Sequence, residues 1–281
     1  MKKCGRENHR IPTARLLLNR RKKHLLEGVT MRTGQMVRGV VRHVLGQLIT
    51  PEWPVSPVSA RHALPSWLYS ADDEASRPSD RLLGTAVRCI DLARSMDLAD
   101  ISNRIPPPLV RYPDVWPGEH YKLLASMVAV LAPRLVIEIG TAEGLSALTL
   151  KKYLQPGGQL VTFDLIPWRE YPGSVLVPED FADARLKQRI GDLADPRVFQ
   201  QHAELLTAAD LLFVDAPKDG RFEPAFLKNL GGLSRSAPLV VLDDIRVWNM
   251  LSTWRAITKP KIDLTSFGHW SGTGLIEWCM Q

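Results

Sequence analysis

Leu135-Val136-Ile137-Glu138-Ile139-Gly140-Thr141-Ala142-Glu143-Gly144-Leu145-Ser146 reads as a short apolar strand, a glycine turn and the first turn of a helix. Glycine at such a turn lets the backbone approach a ligand closely, and the helix start offers free amides to a carboxylate or phosphate. The same alternation continues on either side. A helix at about 118–132 (His120, Leu123, Leu124, Met127, Val128, Leu131) precedes the strand, and strand Leu160-Val161-Thr162-Phe163-Asp164 follows the Pro156-Gly157-Gly158 break. Next come a short strand near Arg189-Ile190, a helix at about 196–207, a strand over 210–215, a helix at about 223–231 and a strand over 238–243. Two further strands, about 262–267 and 273–278, are set off by Gly268, Gly272 and Gly274. Strands alternating with helices predict an α/β chain with a doubly wound, mostly parallel seven-stranded sheet, covered on both faces and binding ligands at the carboxyl ends of its strands.

Two of these strands end in acid: Leu211-Leu212-Phe213-Val214-Asp215 and Pro238-Leu239-Val240-Val241-Leu242-Asp243-Asp244. As neighbours their ends would lie about 5 Å apart, bringing three carboxylates together. Two carboxylates about 4 Å apart repel by roughly 4 kcal/mol at an effective dielectric near 20, and a hard divalent cation relieves that repulsion. The competing reading is that one or two of these acids cap the helices that follow. Asp164, 24 residues beyond Gly140, closes its strand where an acid can accept hydrogen bonds from both hydroxyls of a ribose, so the turn and this acid together imply a nucleoside ligand. Asp192, at the end of the third strand, borders the adenine in this scheme or serves as a turn residue. The Gly140 and Gly144 spacing departs from Gly-x-Gly-x-x-Gly, which disfavours a dinucleotide-dependent reductase.

Composition is that of a globular protein: 281 residues, 45% hydrophobic and 23% charged. Its basic charge is local. Residues 1–50 hold 12 Lys/Arg against 2 Asp/Glu, and the remainder 24 against 28, so no nucleic-acid groove is expected in the body of the chain. Residues 1–30 read as a flexible basic tail, with Met31 as an alternative start. Val37, Val40, Val41, Val44, Leu45, Leu48 and Ile49 then form an apolar helical face opposite Arg38, Arg42 and His43. That helix packs on protein, including a second copy of the chain, or rests on an anionic membrane surface. Prolines 51, 54, 57, 65 and 78 mark an irregular connector carrying Trp53 and Trp67, and a helix capped by Ser79 or Asp80 runs to about Met96. A second proline-rich passage, 105–117, reads as a lid or a linker. The expected division is thus a basic arm with its helix over 1–50, a connector or substrate cap over 51–117, and a ligand-binding domain over 118–281. Cys4, Cys89 and Cys279 share no pair spacing, and no apolar run approaches the length of about 20 residues that spans a bilayer. A cytoplasmic location is expected, with membrane association as the variant of it.

Residues 118–278 resemble class I S-adenosylmethionine-dependent methyltransferases, and among them the metal-dependent O-methyltransferases typified by the catechol, caffeoyl-CoA and antibiotic-sugar enzymes. The likeness rests on residues 138–146, Asp164, Val214-Asp215-Ala216-Pro217-Lys218-Asp219 and Leu242-Asp243-Asp244. It implies a Rossmann-like fold with an N-terminal extension, S-adenosylmethionine as methyl donor, and a small-molecule or glycan hydroxyl as acceptor. By position it implies cofactor contacts from Glu138, Gly140, Thr141, Ser146, Asp164 and Asp192, with Ser146 and the Gly140 turn at the methionine end and Asp164 at the ribose. Asp215, Asp243 and Asp244 would hold Mg²⁺ or another divalent ion. Lys218 would be the general base, its own pKa lowered by the adjacent cation and sulfonium, with His269 and, less favoured, His202 as alternatives. Asp244 stands where the plant and animal enzymes usually carry Asn, which shifts the expected acceptor away from catechols. A metal-independent transferase acting on an amine, and a non-catalytic binding protein on the same fold, are the competing readings. Trp116, Trp168, Trp248 and Trp270 either line a planar or sugar-binding cleft or pack in the core.

Overall fold

The structure is a computed structural model and describes residues 76–106, 112–233, 239–247 and 250–278. The basic arm, the 37–49 helix, Trp53, Trp67, Trp248, Cys4 and Cys279 lie outside the described residues.

In chain order the helices are α1 (Asp80–Ala93), α2 (Ala99–Ser102), α3 (Tyr121–Leu131), α4 (Leu145–Lys152), α5 (Pro196–Gln201), α6 (Ala203–Thr207), α7 (Phe222–Gly231) and α8 (Met250–Ala256). The strands are β1 (Leu135–Ile139), β2 (Gln159–Asp164), β3 (Leu186–Ile190), β4 (Leu211–Val214), β5 (Leu239–Asp243), β6 (Lys261–Asp263) and β7 (Thr273–Glu277). They form one seven-stranded sheet in the order β3-β2-β1-β4-β5-β7-β6. β1 to β5 run parallel, whereas β7 is antiparallel to both β5 and β6. The strand order reverses between β1 and β4, the crevice where ligands of doubly wound sheets bind.

Alternate residues of each strand face opposite sides, and both sides are apolar. Val136, Leu160, Leu186, Phe213, Val241 and Leu275 share one core with Leu82, Leu123, Leu124 and Leu148 of α1, α3 and α4. Ile137, Ile139, Phe163, Leu212, Val214, Val240 and Leu242 share the other with Phe199, Leu206, Phe226 and Trp254 of α5, α6, α7 and α8. Glu138 is the charged exception on β1 and lies on the first side, fully buried.

The described part of the N-terminal extension, from residue 76, is tied to the sheet. Ser79 accepts the Leu82 amide and caps α1, and Ser79 and Arg81 both bond the Glu277 carboxylate at the end of β7. Arg104 grips Asp180 through two nitrogens at 2.7 and 2.9 Å.

Three expected elements differ in form. The helix at 196–207 is divided at His202, whose ring packs edge-on to Phe163 and pairs with Arg189. The strand expected over 262–267 stops at Asp263, whose carboxylate takes the Thr265 amide and hydroxyl and turns the chain into a short 3₁₀ segment. Between β5 and β6 lies α8, which was not expected; Met250, Trp254 and Ile257 are its buried stripe, at helical spacing.

Candidate active site

Register places the acids. Val214 of β4 lies opposite Leu242 of β5, so Asp215 and Asp243 leave the sheet side by side, with Asp244 one residue further on. Ligand oxygens of Asp215, Asp243 and Asp244 all fall within 4.8 Å of one another, so the convergence expected from the sequence is present. Lys218 reaches into the group: its Nζ bonds Asp215 Oδ1 and lies 3.1 Å from Asp244 Oδ2. The chain is held there by the buried Glu223, whose carboxylate accepts the Lys218 amide at 2.9 Å. Lys218 pairs with these acids and not with Asp219, which instead accepts the Arg221 and Phe222 amides at the start of α7.

Two histidines complete the cluster. His120, just before α3, sets Nδ1 3.3 Å from Asp243 Oδ1. His269 directs Nδ1 at Asp243 Oδ2 and Asp244 Oδ1, both at 3.4 Å, and Nε2 at Glu119 Oε2, at 2.9 Å. Ser271 bonds both Asp244 and His269 Nδ1.

Charges inside this cluster shift one another. Burial, then the neighbouring Asp243, pushes Asp215 above the usual carboxylate range. Burial also opposes ionisation of Asp243, but His120, His269 and Lys218 outweigh it and hold that carboxyl well below the usual range. Lys218 loses solvation, yet Asp215, Asp243 and Asp244 overcome this and raise its pKa. The expected lowering belongs to the state with cation and sulfonium bound; with the chain's own charges alone, three carboxylates act on the lysine. His269 behaves likewise; burial works against its proton, but Asp243, Asp244 and Glu119 bring it up to about 10.

The nucleoside side adjoins this cluster. Gly140 has φ 99°, and a Cβ there would come 1.9 Å from the Asp215 carbonyl oxygen, so only glycine fits between the first turn and the acid-bearing strand. Asp164 accepts four amides: Thr141 and Ala142 at 2.9 Å on one oxygen, Leu165 and Ile166 at 2.7 and 3.3 Å on the other. It thus pins the β1 and β2 turns together at the place expected for a ribose. Thr141 bonds Thr162 at 2.8 Å, and Ser146 lies in the first turn of α4. Glu138 is fully buried, and burial, tempered by Ser146 and Thr162, pushes its carboxyl up to about 8. Asp192 accepts the Ala194 amide at 2.8 Å, a turn role.

Among residues absent from the sequence-derived set, His120, Glu119 and Ser271 stand out. His120 carried a signal, since it opens the apolar stripe read for the helix at about 118–132 and a histidine at a buried position needs partners. Glu119 and Ser271 carried none. Ala142, Lys218 and Asp244, all at this rim, have positive φ (44°, 54° and 58°), a strained conformation costing about 1–3 kcal/mol each that tends to gather at functional sites.

The donor set suits a hard divalent cation: three carboxylates at ligand spacing, with Asp243 Oδ1 buried and lacking a hydrogen-bond partner. The Gly140 turn lies directly behind this set, with the Gly140 amide given to the Phe163 carbonyl and the Thr141 and Ala142 amides to Asp164.

No family model matches the chain. Among solved structures it is similar to an O-methyltransferase from Bacillus cereus in complex with SAH (18% identity, 71% of this chain and 90% of that one, TM-score 0.42). It is also similar to an O-methyltransferase from Streptomyces achromogenes involved in tomaymycin synthesis, in complex with SAM (21%, 68% and 93%, TM-score 0.42), and to a SAH-bound methyltransferase from Podospora anserina (16%, 82% and 100%, TM-score 0.44).

Proposed function

We propose that this protein is an S-adenosylmethionine-dependent O-methyltransferase that methylates a hydroxyl of a small molecule or sugar with the help of a divalent cation. The observation that carries this reading is the meeting of two features at one sheet rim: a glycine turn at Gly140 that packs on the backbone of Asp215, and the convergence of the carboxylates of Asp215, Asp243 and Asp244. The sequence resemblance over 118–278 points the same way.

On this reading Gly140, Thr141 and Ser146 hold the methionine end of the cofactor, Asp164 fixes the turn against which the ribose lies, and Glu138 sits beneath as a buried acid. The cofactor supplies a sulfonium methyl that is already activated, so the protein's task is alignment and removal of the acceptor proton. Asp215, Asp243 and Asp244 would hold the cation, which would polarise the acceptor oxygen and weaken the negative field on Lys218. Lys218 Nζ is then the proton acceptor. His269, which also faces these acids and Glu119, is the alternative base. Trp270, 75% exposed and edge-on to His269 at 5.7 Å, and Phe267, stacked on Trp116 at 6.5 Å, offer an apolar wall to a sugar or planar acceptor.

A mass-shift screen of polyols, glycosides and catechols with labelled cofactor tests the proposal; gain of one methyl on a hydroxyl is the expected result. Cofactor binding in calorimetry without transfer to any hydroxyl acceptor would refute O-methylation, and no cofactor binding would refute the whole reading. A second reading is favoured by the Lys218 contacts with Asp215 and Asp244, since the ammonium can itself neutralise the acids. Undiminished turnover in the presence of a strong chelator would select that metal-independent form.

A further inference from the structure

We propose that His120, Asp243 and His269 form a second cation site, selective for an imidazole-seeking ion such as Zn²⁺ and sharing Asp243 with the aspartate trio. The inference extends the reading above and rests on it only for the trio as the neighbouring hard-ion site.

Ligand atoms of His120, Asp243 and His269 lie within 4.8 Å of one another. Asp243 divides its carboxylate between the rings, with Oδ1 3.3 Å from His120 Nδ1 and Oδ2 3.4 Å from His269 Nδ1. A histidine buried only to satisfy packing normally hydrogen-bonds at least one ring nitrogen. His120 is 3% exposed, and neither of its nitrogens has a hydrogen-bond partner, nor has the Asp243 oxygen that faces it. They face one another closely enough to share one ion.

His269 carries the complementary feature. A metal-binding histidine commonly gives its second ring nitrogen to a carboxylate, which fixes the tautomer and ring orientation. Nε2 of His269 lies 2.9 Å from Glu119 while Nδ1 faces Asp243. Ser271 Oγ lies 2.8 Å from the same Nδ1 and would turn fully to Asp244 when an ion binds.

Two imidazoles and a carboxylate suit Zn²⁺, Co²⁺ or Fe²⁺, whereas the all-oxygen trio suits Mg²⁺. His120 precedes α3 and His269 lies on the loop before β7, so an ion between them would clamp the Trp270 loop against the helix start.

Co²⁺ and Zn²⁺ titrations of the full chain in excess Mg²⁺ test this, read by the visible absorption of Co²⁺ and by Zn²⁺ content after dialysis. Expected are one tightly held Zn²⁺ and an intense imidazole-type Co²⁺ spectrum, with affinity reduced in His120→Ala and His269→Ala by more than the roughly 10–100-fold that loss of an outer-shell partner costs and kept in Asp215→Asn. No retained Zn²⁺, or retention that falls with Asp215→Asn and ignores both histidine changes, would overturn the site. Should His120→Ala fail to give a native circular dichroism spectrum, His269→Gln on the half-buried loop decides alone. Zn²⁺ held by a chain that binds no S-adenosylmethionine would sink the methyltransferase reading and leave this site standing.

Discussion

Gly140 is held at φ 99° with the Asp215 carbonyl where its Cβ would be. Gly140→Ala should therefore destabilise the chain by several kcal/mol, through strain and forced separation of β1 from β4, read as a fall in the urea midpoint. Asp215→Ala removes one carboxylate from a mutually repelling trio, so it should abolish methyl transfer while melting close to the parent; near-normal turnover in that variant would refute the role given to the trio. Glu138 gives a pH signature. Its ordinary value of 4.5 rises to about 8 in the fold, so the folded chain binds the extra proton between those values. Its effect is neutral below 4.5 and increasingly unfavourable as pH climbs toward 8, reaching a few kcal/mol. Glu138→Gln should flatten that part of the stability profile in denaturant melts from pH 5 to 8.

Asp219 lies at the entrance of α7, where it accepts two backbone amides. Asp219→Ala should cost about 1 kcal/mol and loosen the segment that carries Lys218, which hydrogen exchange at 216–222 would report. The sequence made such elements readable wherever an apolar run ended in a turn residue: β1, β2, β4, β5 and β7 follow directly from that pattern. It concealed α8, where Met250, Trp254 and Ile257 were spaced correctly but lay between two strands in a region without clear caps. β6 was overextended because Asp263 bonds locally to Thr265, a contact that hydrophobic pattern does not encode. The acid trio was legible from strand ends alone, whereas the attachment of Lys218 to it depends on a positive φ at 54° that no residue type announces.

Across the molecule, α1 lies on the same core as α3 and the sheet, burying Leu82, Ala86, Cys89 and Ala93. A chain beginning at Tyr112 would uncover the part of this core that α1 closes, and should melt lower and scatter light at micromolar concentration. The sequence distinguished the regular alternation from residue 118 onward from what precedes it, but burial of α1 on the same core as α3 is a long-range fact. No helix among the described residues is long and apolar enough to cross a membrane. Reversal of β7 has one more consequence. Thr273 starts beside Asp243, and Glu277 finishes beside Leu239, so the chain delivers the His269 loop to the acid-bearing rim and then runs to the opposite end of the strands. Coupling the protein to a sensor chip through that opposite end, where Leu239 and Glu277 lie, should leave the acid-bearing rim facing the bulk liquid.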